Sequence, residues 1–173
     1  MRSMRTTVNS SHQVEIVWGC EPDPGTMPDD EMIKSWSGEV LSKSGKGAAV
    51  VAVKIVSSQE MKKLNSEYRG LNTTTNVLSF PLDVQVEAGR QLLGDIAICA
   101  PVVIAEARDQ GKTNHAHFAH MLVHGILHLR GHDHLEDAQA ETMELLEIEI
   151  LQSMGFPNPY QDRIRGEIQR TIE

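Results

Sequence analysis

The chain has 173 residues, 40% of them apolar and 23% charged, which is the make-up of an ordinary globular domain long enough for one hydrophobic core. No stretch approaches the ~18 apolar residues of a membrane span, and Met1–Ser11 lacks the apolar centre of a secretory signal. A formal net charge of −8 argues against a broad basic surface that coats nucleic acid, and two distant cysteines, Cys20 and Cys99, point to a reducing compartment, the cytoplasm.

In chain order, Val14 to Trp18 reads as a first strand. Pro22, Pro24, Gly25 and Pro28 mark a loop, and Asp29 or Asp30 opens a helix to about Leu41. Ala48 to Val56, rich in valine, predicts a second strand. Ser57 or Ser58 then caps a helix running to about Tyr68. The polar loop Gly70 to Thr75 leads to a short strand, Asn76 to Phe80, which Pro81 is expected to stop. Arg90 to Cys99 is a further strand, separated from the last by a Gly89 loop as in a hairpin. Pro101 suits the first turn of a helix to about Asp109.

Gly111 to Asn114 breaks that helix and caps the next, Ala116 to Leu129. Here Phe118, Leu122, Ile126 and Leu129 form one apolar face and Val123 and Leu127 a second, the pattern of a buried helix. An acidic helix follows His134 and ends near Gly155-Phe156-Pro157. Its Asp137, Glu141 and Glu144 predict a solvated face, with Leu135, Met143, Leu146 and Ile150 opposite. Mixed in this order, the elements predict a single α+β domain, a small mixed sheet covered by helices, with a zincin-like metal helix in the interior. Residues 1–12 read as a flexible N-terminal segment, 13–157 as the domain and 158–173 as a polar tail.

Seven of the eight histidines lie between His115 and His134. His124, His128 and His134 stand at the spacing H-x-x-x-H-x-x-G-x-x-H. Two histidines four apart share one face of a helix, and Gly131 can end that helix and return the third to the first two. Three neutral imidazoles with a free fourth position suit a catalytic zinc ion, with nickel or copper able to use the same ligands. Neutral ligands leave the ion its full charge, which favours an anionic substrate. Metzincin proteases share the spacing but carry glutamate after the first histidine, where this chain has Gly125, so a peptidase is disfavoured. His120, one turn earlier, is open to a ligand role, a supporting role or packing. His117 and His132 are expected at the rim, and Asp95 or Asp133 is a candidate to orient a ligand.

These residues resemble the YbeY family of endoribonucleases and rRNA maturation factors. The resemblance rests on Leu64-Asn65-Ser66-Glu67-Tyr68-Arg69-Gly70 with Thr75 to Pro81, on Gly94-Asp95-Ile96-Ala97-Ile98, and on the histidine block, which matches HGxLHLxGxDH. Where the family usually has a basic residue, an aspartate and a proline, this chain has Leu71, Asn72 and Thr74, so the loop carries less charge. The resemblance implies an α+β domain holding zinc through His124, His128 and His134, with Arg69 as the functional arginine. It further implies cleavage of single-stranded RNA, maturation of small-subunit rRNA at the 16S 3′ end, and a part in ribosome quality control beside small-subunit assembly factors. Two other functions compete: a ribosome-assembly factor with a mainly structural metal, and a metal-dependent amide hydrolase.

Overall fold

The computed structural model describes residues 12–86, 89–163, 167 and 170. Four strands, β1 (Gln13–Trp18), β2 (Ala49–Val56), β3 (Val77–Gln85) and β4 (Gln91–Cys99), form one sheet in the order β1-β2-β4-β3. The first three in that order run parallel and β3 is antiparallel to β4, so the sheet is mixed. The helices whose bounds fall within the described residues are α1 (Asp30–Ser44), α2 (Ser58–Arg69), α3 (Ala100–Asp109), α4 (Asn114–Leu129) and α5 (Asp137–Ser153). The expected α+β class and helix-covered mixed sheet are what the chain adopts.

Local chemistry sets the helix starts. The Asp29 side chain accepts from Met32 N, Ser57 from Glu60 N and Thr113 from Ala116 N, each satisfying an otherwise unpaired amide of a first turn. Alternation then sorts the strands. Val51, Val53 and Ile55 of β2 and Ile96 and Ile98 of β4 join the main core with α1, α4 and α5. Val56, Leu78, Ala97 and Cys99 turn to the other face and pack with Met61 of α2. Helix α4 lies between the sheet and its neighbouring helices, with Phe118, Leu122, Ile126 and Leu127 all buried. Truncating any of these to alanine removes about 2–5 kcal/mol of packing, so the helix is fixed in place by its apolar sides.

Two expectations are corrected. Pro81 does not stop β3, which continues to Gln85. The strand is at the sheet edge, where proline is tolerated because one side of the strand has no ladder to break, and the pairing shifts register between Pro81 and Val84, with Asp83 at φ 52°. Leu135 does not join the apolar side of α5; it lies before the helix and is 83% exposed. The six residues between Arg130 and Asp137 are instead a loop that carries His134.

Residues 1–11 of the expected N-terminal segment lie outside the described residues. His12 is described, and its Nδ1 accepts from Ala49 N at 3.1 Å, tying the start of β1 to β2.

At Gly94, β3 presses close on β4. The glycine has φ 133°, and a Cβ built there would stand 2.1 Å from the Phe80 carbonyl oxygen. A Gly94→Ala substitution is expected to lower stability by more than about 2 kcal/mol, read as a fall in the urea midpoint at unchanged slope.

Candidate metal centre

The buried helix α4 carries its histidines along one stripe, and its end is shaped by Gly131. That residue has φ 92°, Gly131 N donates to His128 O and His132 N to Leu127 O, each at 3.0 Å. This paired closure around a left-handed glycine ends the helix and reverses the chain. Asp133 Oδ1 then accepts from His134 N at 2.7 Å, fixing the turn that returns the third imidazole. The stop expected at Gly131 is thus made by the expected means.

His124, His128 and His134 each offer a ligand atom within 4.8 Å of the others. The Nε2 atoms of His124 and His128 are 3.1 Å apart. Two nitrogens about 2.0–2.1 Å from one tetrahedral ion are separated by about 3.3 Å, so the pair stands at the spacing of shared ligands. The donor set is nitrogen throughout, which fits zinc and its neighbours in the first transition row. Burial, reinforced by the imidazoles of His124 and His134, holds His128 down to about 4, so near pH 7 its ring is neutral, the form that binds a metal.

These imidazoles open onto a cleft of about 430 Å³ whose far wall includes Arg69, Asn76 and Ser79. Arg69 is the last residue of α2, and Gly70 ends that helix at φ 68° with its N–H on the Asn65 and Ser66 carbonyls. The loop that follows lacks a proline stiffener, but the buried Asn65 donates Nδ2 to Thr73 O at 2.9 Å and pins it. Among the described residues, the Arg69 guanidinium has no carboxylate partner, which leaves it able to meet an anion in the cleft. A second hollow of about 470 Å³ lies around Lys112 and Phe156, near the start of α4 and away from the imidazoles.

Other sequence candidates are sorted differently. Asp95 is on the α2 side of β4, opposite Phe80, and does not line the cleft. Asp133 lines it but bonds the His134 amide, not an imidazole. The carboxylate beside a candidate ligand is Glu147 of α5, whose Oε1 is 2.6 Å from His124 Nδ1. Burial by itself raises the Glu147 carboxyl, but hydrogen bonds from His120 and His124 outweigh it and bring it down to about 2. Sequence reasoning passed over Glu147 because its helix is acidic. The signal was its place between Met143 and Ile150, a single acid within an apolar stripe. His120 is buried and bonds Glu147 Oε2 at 2.9 Å, outside the trio. His117 is not a rim residue: it is 2% exposed, with Nε2 2.7 Å from Glu106 Oε2 of α3. His132 lines the cleft mouth as expected.

Gly125 has a packing reason. A Cβ at this position would meet Ile96 Cγ2 at 3.0 Å and Val77 Cγ2 at 3.3 Å, while its carbonyl accepts from Ser79 Oγ at 3.0 Å. The position faces the sheet, so a protease-type glutamate has no room there.

A helix offering two histidines a turn apart to a third beyond a glycine turn is the arrangement of metal-dependent hydrolases. Comparison with known proteins narrows this class. The family described as Endoribonuclease YbeY matches residues 26–155. A curated relative of that description from Methylococcus capsulatus (strain ATCC 33009 / NCIMB 11132 / Bath) is 49% identical over 136 residues, 79% of this chain and 89% of its own. A solution structure from Thermotoga maritima superposes with a TM-score of 0.57 at 28% identity, covering 81% of this chain and 87% of that one. The chain belongs to the YbeY endoribonuclease family.

The close approach at Gly125 yields a direct check. A Gly125→Glu variant is expected to lose more than about 3 kcal/mol of stability in chemical denaturation and to gain no peptidase activity, because the added carboxylate is forced between Ile96 and Val77.

Proposed function

We propose that this endoribonuclease cuts single-stranded RNA at a centre in which His124, His128 and His134 hold one zinc ion and Arg69 grips the scissile phosphate. The observation that carries this reading is that the guanidinium and the three imidazoles line one open cleft. When bound, zinc supplies Lewis-acid polarisation and a means of lowering the pKa of water at the reacting phosphorus. The chain's own part is placement. Arg69 presents a planar fork that meets two phosphate oxygens and offsets charge building on them, and the Gly70 cap with the Asn65 anchor fixes where that fork stands. Membership of the endoribonuclease family supports RNA as the substrate, and a single strand is the form that the family resemblance implies.

In this reading the cellular substrate is small-subunit rRNA, matured at the 16S 3′ end, with ribosome quality control as the wider setting. The partners are the small ribosomal subunit and its assembly factors, in the cytoplasm. Membership of the YbeY family supports this assignment. Among the described residues no helix is long and apolar enough to cross a membrane.

Two variants separate cleavage from metal holding. His124→Ala is expected to lose both bound zinc and RNA cutting. Arg69→Ala is expected to keep its zinc, measured by elemental analysis, while kcat on a single-stranded oligoribonucleotide falls ~100-fold or more. Normal rRNA processing in cells carrying a non-cleaving Arg69→Glu protein would instead favour an assembly factor with a structural metal.

A further inference from the structure

Behind the proposed ligands lies a carboxylate that the reaction itself does not use. Glu147 is 1% exposed, on the face of α5 shared with the buried Met143 and Ile150. Two oxygens there serve three donors. Oε1 faces His124 Nδ1 at 2.6 Å, Oε2 faces His120 Nε2 at 2.9 Å, and Oε2 also takes the Tyr160 hydroxyl. Tyr160 Oη is in turn 3.2 Å from His120 Nε2, and the two rings meet edge to face at 5.4 Å. An acid so deeply buried is costly unless donors meet it, and here both oxygens are met, by two imidazoles of α4 and by the Tyr160 hydroxyl.

We infer that Glu147 is a positioning residue of the metal centre, holding His124 in the tautomer and ring orientation that turn the Nε2 lone pair toward His128 and His134. A neutral imidazole has one N–H, and a carboxylate only accepts. The short contact therefore makes Nδ1 the donor and strips Nε2 of its proton. The Nε2 so freed is the atom 3.1 Å from His128 Nε2, within the trio that can share an ion. His120 and Tyr160 form the layer behind, fixing the carboxylate so that it cannot rotate away from His124. This gives a use to His120 that ligation does not, and to Tyr160, which belongs to the segment expected to be a tail. Partners of this kind raise ligand basicity and remove the entropy of ring rotation before a metal arrives.

The inference rests on the reading of His124 as a ligand, and two measurements keep the two apart. Long-range proton–nitrogen NMR of the metal-free wild-type protein is expected to show His124 protonated at Nδ1; protonation at Nε2 would overturn the inference. Zinc affinity by chelator competition is expected to weaken about 10–100-fold in Glu147→Gln and by a smaller factor in Tyr160→Phe, with far-ultraviolet circular dichroism of the metal-free variants unchanged. Affinity within about threefold of wild type in folded Glu147→Gln sinks it, and Tyr160→Phe serves the same purpose if the first variant does not fold. A wild-type protein that takes up no zinc at all sinks instead the ligand assignment on which this one stands.

Discussion

Polar rings threaded along a buried helix are the constraint around which this domain is built. Helix α4 is held between the sheet and the flanking helices by Phe118, Leu122, Ile126 and Leu127, and the same close packing removes water from much of its histidine stripe. An imidazole without water needs a partner, since an unmet buried polar group costs on the order of 1–3 kcal/mol. The neighbouring helices supply them. Glu106 of α3 meets His117, and Glu147 of α5 meets His120 and His124. At the far end of the stripe the Nε2 atoms of His124 and His128 approach one another and the His134 ring. That end opens on the cleft. The stripe thus changes character along its length, from hydrogen-bonded histidine–carboxylate pairs in the interior to a cradle for a cation at the surface.

Glycines set the geometry that the acids then stabilise. Gly125 lets α4 lie close enough to Ile96 and Val77 for its carbonyl to accept from Ser79. Gly131 reverses the chain so that a residue six positions beyond His128 can face it. Gly94 lets the edge strand bend against β4 beside Pro81, whose side lines the cleft. In each case the requirement is steric: a side chain would meet packed atoms, or the backbone occupies a region that L-residues avoid. The missing glutamate at position 125 follows from the same packing, which separates this cleft from a zincin protease site on physical grounds.

Much of this was legible along the chain. Periodicity located the strands and helices, because the apolar alternation of β2 and β4 and the two apolar faces of α4 are strong local signals. The His124, His128 and His134 spacing marked out a metal cradle, since a helix turn and a left-handed glycine are both local geometry. The reading of β3 failed at Pro81 because proline is harmful only in a central strand, and edge position is a property of strand order. Leu135 misled because helical phase was extended back across residues that the turn to His134 requires to be loop.

Sequence by itself determined the elements, the buried character of α4 and the trio of imidazoles gathered across a glycine stop, since each depends on residues within a few turns of one another. Tertiary structure alone decided which acids meet which histidines. Glu106, Glu147 and Tyr160 come from segments whose approach to α4 is fixed by how whole helices pack, so no local pattern announces them. It also decided that Arg69 shares a cleft with the imidazoles, for that convergence depends on the order of strands in the sheet.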